Sequence, residues 1–363
     1  MYIQEKKLDM PSLLAVSIIS LLPIIFILGT GLLNFFIILL DLIFLYELFS
    51  KKKLKLLNNK FFKSLILFWI ILLITLIFSI SFIDSISRSF GFIRFILFSF
   101  AINYYFFNNQ LKNIILKFWT IFFLIISLDL IFEYFFGFNT LGFKSYIPGR
   151  LSGFFNQELK IGHLYSAFIL ITLTSIYMFF KDLNILGKKF FKKIIQKNGF
   201  YIFLIIFLFI AFIIGERSNF IKTLIITILF VFLIDNKDLQ KKLLIIFAGL
   251  IIIGIIIFNH DIYKYRFFVM FIKPIISNPV ELVTKSNYGS HYKVAYEVYK
   301  NNKITGVGLK NYRIEVMKDK YSKDSSIHPH QVHFEILSET GLIGYISFLS
   351  LFIFNLFYSI NYF

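Results

Sequence analysis

The sequence runs to 363 residues, of which 58% are hydrophobic and 51 are phenylalanine, with a mean hydropathy of +0.78 and a formal net charge of +18. Such apolarity lies far above that of a soluble globular domain and excludes one. No cysteine is present, which excludes disulfide and thiol chemistry and leaves the redox compartment undetermined.

Apolar runs of about 17 to 25 residues cross a hydrocarbon core as helices, whereas barrel strands alternate with period two. The chain carries runs of the first kind from Leu13 to Tyr358. They predict ten helices, at 12–28, 32–49, 64–82, 89–107, 114–136, 161–180, 200–214, 219–234, 241–258 and 334–359. The expected fold class is all-α: a polytopic membrane helical bundle of about ten spans with one large outward (periplasmic) loop domain. By residues this reads as a nine-span bundle over 1–258, a loop over 259–332 that holds an amphipathic helix, and a final span over 333–363. Glu5, Lys6, Lys7 and Asp9 precede the first span and no small-residue cleavage site follows it, so it is expected to be retained rather than removed as a signal peptide.

The positive charge is distributed by loop. Residues 50–63 and 181–199 carry six lysines each and residues 235–242 carry three more. Cytoplasmic loops are the basic ones, so this pattern puts both termini in the cytoplasm and leaves the short connections 83–88 and 215–218, with one arginine each, outside. The charge therefore orients the protein and meets anionic lipid at the inner face. With no basic recognition helix, it is no argument for nucleic acid.

Two outward segments interrupt the apolar rhythm, 137–160 and 259–332. Within the second, "SHYKVAYEVYKNNK" (290–303) spaces Tyr292, Ala295, Tyr296 and Tyr299 as one face of an amphipathic helix at the outer surface. Gly306 and Gly308 in the following "TGVGLKNYR" suit a helix stop and a turn.

All six histidines, His163, His260, His291, His328, His330 and His333, fall on the outward side of this topology. Three of them lie in "SIHPHQVHFEILSETGLIG" (326–344). A single histidine beside a membrane is usually interfacial; three within six residues invite either a metal or a base. The segment lacks an HExxH pattern or paired Cys/His spacing, so no metal ligand is assigned. A neutral imidazole takes a proton from a hydroxyl near neutral pH, and Pro329 stiffens the chain between His328 and His330. Glu335 and Glu339 either orient that ring or sit as acids near a helix start. In "IIGERSNF" (213–220), Arg217 either snorkels to lipid phosphate or forks onto a diphosphate. Arg94 and Asp129 count to similar depth and are expected to form a structural ion pair or else to take part in the substrate site, with Glu133 one turn outward from Asp129.

Four stretches in this order, "GRLSGFFNQELKIGHL" (149–164), "IIGERSNF", "ITGVGLKNYR" (304–313) and "SIHPHQVHFEILSETGLIG", resemble the O-antigen ligase and polymerase superfamily. Together they span most of residues 149–350, while the first third matches only as hydrophobic spans. The resemblance implies a metal-independent, inverting glycosyltransferase with no cofactor in the bacterial inner membrane. Its active face would be periplasmic, moving a glycan from undecaprenyl diphosphate to an acceptor hydroxyl. Implied partners are that lipid-linked glycan, lipid A core or another glycan acceptor, and membrane lipid, with no nucleic acid. The family's H-P-H-N histidine maps to His330, with Gln331 where asparagine is usual, and its span-junction arginine maps to Arg217. The position of its loop arginine holds His291, so Arg266 or Arg313 takes that role or neither does. His330 and Arg217 are thus the expected catalytic pair, and His328, His291, Arg266, Arg313, Arg150 and Glu339 the expected substrate-binding residues, with no metal ligand. Family members usually carry further spans after the loop, whereas this sequence stops at Phe363, so a shortened member or a truncated product is expected.

Ligation onto lipid A core and polymerisation of repeat units share these motifs, and ligation is the first reading; a protein hydroxyl is a third acceptor. A flippase or transporter of lipid-linked glycan would line a central cavity with charge along many spans, and a structural scaffold would need no chemistry at all. Here the polar residues gather on one face.

Overall fold

In the computed structural model, residues 9–156, 158–185, 192–234, 239–280, 287–321 and 326–360 are described, and all regular structure among them is helical. The elements are α1 (Met10–Leu28), α2 (Thr30–Ser50), α3 (Lys60–Ile77), α4 (Phe82–Gly91), α5 (Ile93–Phe106), α6 (Asn109–Phe136), α7 (Ile161–Ile185), α8 (Lys192–Ile213), α9 (Arg217–Ile234) and α10 (Leu239–Asn259). They continue with α11 (Asp261–Ser277), whose middle Lys264–Ile272 is π-helical, α12 (Asn287–Asn301), α13 (Tyr312–Glu315) and α14 (Val332–Ile360).

Helix ends follow from local chemistry. The Asn59 side chain accepts from the Phe62 amide (2.7 Å) to start α3, and Asn108 does the same for α6. Gly137, at φ +77°, closes α6 with its amide on the Glu133 carbonyl (2.8 Å). Gln331 caps α14, its side-chain oxygen accepting from Phe334 N (2.9 Å). Glutamine thus does at 331 what the asparagine usual in the resembled motif would do, with one more methylene to position.

Seven described helices are long and apolar enough to cross a membrane, or eight if the pair Ile246–Asn259 and Asp261–Ser277, bent by 102°, counts as one. Ten were expected. Helical segments stand at all ten expected places, but the stretch expected at 200–214 gives only the shorter apolar helix Phe200–Ile213, the one at 219–234 forms α9 without standing among the seven, and the one at 241–258 belongs to the bent pair. The expected outward loop at 83–88 is also absent. Ser81 caps a helix there, α4, with Asp84 in its first turn and Arg88 in its last, a charge order that suits the helix dipole.

The chain forms two compact units. One gathers residues 1–36 and 104–273. Its core is aromatic and aliphatic: Phe123 lies against Tyr165 (centroids 4.5 Å apart) and edge-on to Phe207 (5.2 Å), tying α6, α7 and α8 together. The Trp119 indole N–H reaches from α6 to the Ile19 carbonyl on α1 (3.0 Å). In the same unit Asp129 turns to Thr140, whose amide (2.8 Å) and hydroxyl (2.6 Å) both donate to Oδ1. The expected Arg94–Asp129 pair is therefore replaced on the aspartate side by a local loop clamp. Arg94 belongs to the other unit, where Asp41 is its acidic neighbour.

The second unit gathers residues 37–103 and 274–363, with α3 and α12 both packed on α14. The face that α12 buries is Val294, Ala295 and Val298. This corrects the face expected from spacing: Tyr296 is 47% exposed and Tyr292 stacks on Phe334, so of that face Ala295 alone joins the buried core.

Helix α14 is broken at Gly341 (φ +63°, ψ −162°). A break frees carbonyls at 338 and 339 and amides at 342 and 343, which is costly in an apolar helix. Residues 303–308 absorb all four: Val307 N and Gly308 N donate to Ser338 O (3.0 Å) and Glu339 O (2.8 Å), while Leu342 N and Ile343 N donate to Lys303 O (2.8 Å) and Ile304 O (3.2 Å). Gly306, at φ +70°, lets the two backbones approach, since a Cβ there would strike the Glu339 carbonyl. Gly341→Ala would bring a methyl onto Ile304 O in a backbone state that alanine resists. The expected outcome is a fall in thermal stability in detergent, equivalent to about 2 kcal/mol or more, measured as a lowered midpoint against wild type.

Candidate functional site

In the first unit, two of the quoted motifs are interlocked. Leu151 N donates to Ile214 O (3.1 Å), and Gly149 (φ +72°) and Gly215 (φ +76°) lie so close that a Cβ on Gly215 would run into the Gly149 carbonyl. Arg266, on the π-helical stretch of α11, straps them: Nη2 donates to Gly215 O (3.0 Å) and Nη1 to Pro148 O (3.4 Å). Arg150 donates to Leu159 O (3.1 Å) and stands 3.4 Å from Glu216, whose other oxygen is 3.5 Å from His163 Nε2. Arg217, the first residue of α9, donates to Met270 O (3.2 Å), its guanidinium 6.0 Å from the Phe271 ring centre.

Three guanidiniums and one carboxylate thus share this end of the unit, and Arg266 lies within electrostatic range of both Arg150 and Arg217. The Nε atoms of Arg150 and Arg266 are buried with no hydrogen-bond partner among the described residues. Like charges held together with spare donors favour an anion with several oxygens. The loop that carries Arg150 is anchored by Glu133, which accepts from Ser152 N (2.8 Å), Ser152 Oγ (2.9 Å) and Gly153 N (2.8 Å), and by Asn139, whose amide donates to Gly153 O (2.6 Å). The sequence shows Glu133 only as an acid one turn from Asp129; this anchoring role is hidden there because two of its three donors are backbone amides.

The second unit holds the other expected residues. His330 has φ +57°, a left-handed conformation costing about 1 kcal/mol for a residue with a side chain. Its exposed ring lies 5.2 Å from His328 and 5.5 Å from His291, centre to centre, so three imidazoles cluster. Partial loss of hydration, with His328 and His291 alongside, holds the His330 pKa below the ordinary histidine value of 6.5. His291 Nδ1 accepts from the Ser326 amide (3.0 Å), which places the proton of the neutral ring on Nε2. His333 stands apart from this trio, against Tyr345 and Phe348. Among the described residues no group of three acidic or histidine side chains is arranged to hold a metal ion.

A cavity of about 170 Å³ lies beside the cluster, lined by Arg88, Lys310, Tyr312, Arg313, Ile327, His328, Pro329, Glu335 and Glu339. Glu335 faces His328 at 3.7 Å. Glu339, buried, accepts from the backbone amides of Lys310 and Tyr312 (3.4 Å for the second) rather than from an imidazole. It therefore seats the "GLKNYR" turn instead of orienting His330. The turn is held further by Asn311 Nδ2 on Ser81 O (3.0 Å) and by Ser85 Oγ on Leu309 O (2.8 Å), which brings α4 and Arg88 to the cavity. Arg88 and Lys310 escaped sequence reading; the only signal was the Gly306 and Gly308 pair that makes the turn.

The fold defines a helical protein with membrane-crossing segments that carries an arginine cluster in one unit and a histidine cluster in the other. Residues 202–349 match the family model for O-Antigen ligase, which supports the O-antigen ligase and polymerase superfamily for this stretch; three of the four resembling motifs fall within it, and 149–164 lies outside. No curated protein and no solved structure matches the chain. Glu133→Ala leaves two buried amides and a hydroxyl without an acceptor. The expected loss is about 3 kcal/mol of stability, read by thermal unfolding in detergent, with glycine-loop disorder visible as faster proteolysis between residues 139 and 160.

Proposed function

We propose that this protein is a glycosyltransferase of O-antigen ligase type. It moves a glycan from undecaprenyl diphosphate to an acceptor hydroxyl, with lipid A core as the acceptor, at the periplasmic face of the bacterial inner membrane. The observation that carries the reading is His330: an imidazole held neutral, in a strained backbone state, inside a histidine cluster of an O-antigen ligase domain.

The roles follow from charge. A base must be neutral to accept a proton, and a lowered pKa makes His330 neutral at pH 7. A departing lipid diphosphate gains negative charge, and Arg217, always cationic, stabilises it with Arg150 and Arg266 nearby. The acceptor oxygen attacks the anomeric carbon, its proton passes to His330, and the bond to the diphosphate oxygen breaks, which inverts the configuration. None of these steps calls for a metal.

The test is transfer by purified protein in nanodiscs, supplied with undecaprenyl-diphosphate-linked glycan and, in separate reactions, lipid A core, glycan repeat units and a peptide hydroxyl. Product on lipid A core supports ligation; product only on repeat units makes the protein a polymerase; movement of intact lipid-linked glycan across the bilayer without new linkage would replace the reading by a flippase. His330→Ala is expected to lower turnover about 10²- to 10⁴-fold, and Arg217→Ala about 10²- to 10³-fold. The pH profile is a second check. Because the base form is the active one and burial beside two imidazoles lowers the His330 pKa, the acid-side midpoint of kcat/KM should lie below pH 6.5, with a tenfold fall per unit only below that midpoint. A decline already evident between pH 8 and 7 would assign the titration to another group.

A further inference from the structure

We infer that the cavity beside the histidine cluster is a binding site for the anionic group of an acidic sugar, a phosphate or carboxylate carried by the acceptor. The inference rests on the transferase reading and names the acceptor's chemical class. It starts from where the cations are. Arg88 on α4, Lys310 on the turn and Arg313 on α13 all line one cavity, and among the described residues none of the three forms an ion pair within 4 Å.

The two acids on the same wall are already engaged. Glu339 takes the Lys310 and Tyr312 amides, and Glu335 stands against His328. They fix the geometry of the wall without neutralising it, and three cations against two carboxylates leave the cavity positive. Lys310 sits at φ +68°, so like His330 it is held in a conformation that its side chain disfavours. A strained cation kept at a cavity is the mark of a built feature rather than of a solvated surface lysine.

The size and the neighbours decide what enters. At about 170 Å³ the space admits one charged substituent of a sugar rather than a whole oligosaccharide. His328 belongs both to the cavity wall and to the imidazole cluster, 5.2 Å from His330. A sugar anchored by its anion in the cavity would therefore hold a hydroxyl of the same or the next residue near the base. Guanidinium forks and an ammonium together suit both phosphate and carboxylate oxygens. The donor diphosphate is assigned to the arginines of the other unit, so this second cationic set is left for the acceptor.

The decisive measurement is binding of glucose 6-phosphate, glucuronate and glucose to the full chain in phosphatidylcholine nanodiscs, followed by calorimetry and by the histidine ring signals in NMR spectra. Either anionic sugar should bind at least tenfold more tightly than glucose and shift the His328 resonance. Arg88→Ala, Lys310→Ala and Arg313→Ala should each weaken that binding about tenfold, whereas Arg217→Ala should not. Equal binding of the three sugars, no binding of any, or displacement of the sugar phosphate by phosphatidylglycerol in the disc would overturn the inference. This readout does not depend on turnover. If the anionic sugars bind as expected but no glycan is transferred, the transferase reading fails and the anion site stands. If transfer proceeds and a phosphorylated acceptor is used no better than its phosphatase-treated form, the inference fails and the transferase reading stands.

Discussion

A hydrocarbon phase offers no water to a broken helix, and this constraint governs the histidine-bearing unit. Helix α14 is apolar enough to cross a membrane, yet it is interrupted at Gly341, and the four backbone groups set free are taken up by residues 303–308. That exchange is what docks the glycine turn on the helix. The turn in turn presents Lys310 and Arg313, receives the Glu339 carboxylate on its amides and carries Asn311 onto the start of α4. The polar wall of the cavity is thus a by-product of repairing a helix.

The arginine-bearing unit solves a different difficulty, the mutual repulsion of Arg150, Arg217 and Arg266. Each guanidinium is tethered to a carbonyl oxygen, Leu159, Met270 and Pro148 or Gly215 respectively, so backbone dipoles rather than a matching set of carboxylates hold the charges in place. Among the described residues Glu216 is the acid paired with Arg150, and it is shared with His163. Positive potential is therefore retained, and such a potential favours anions.

Much of this was legible in the sequence, for identifiable reasons. Hydropathy located the helical segments because the lipid-facing side chains are apolar whatever their neighbours do, and motif order pointed to the family that residues 202–349 match. Periodicity went astray where it is blind to chemistry. In α12 the tyrosines and the Val294, Ala295 and Val298 face both fit helical spacing, and only packing against α14 chooses between them. The loop expected at 83–88 forms a helix because Ser81 supplies a cap that hydropathy does not weigh. Asp129 was paired on paper with Arg94 by depth alone, whereas Thr140 offers two donors from a loop just beyond the same helix. Arg88 and Lys310 lie far apart in sequence, and the Gly306 and Gly308 pair signals the turn that carries Lys310 without marking either residue as part of a shared wall.

The mutual fit of Gly149 and Gly215 has a consequence for how such chains diversify. Gly215 lacks a side chain because the Gly149 backbone occupies the space, Gly149 because the side chains of Ile262 and Arg266 do, and Arg266 ties Pro148 O to Gly215 O. A recombination event that imports a new sequence around one of them, with a larger residue or a shifted register, would find its counterpart unable to accommodate it. The stretches around 149–162 and 213–220 are therefore inherited as a pair, and natural mosaics of this architecture should have their crossover points outside the interval that joins them.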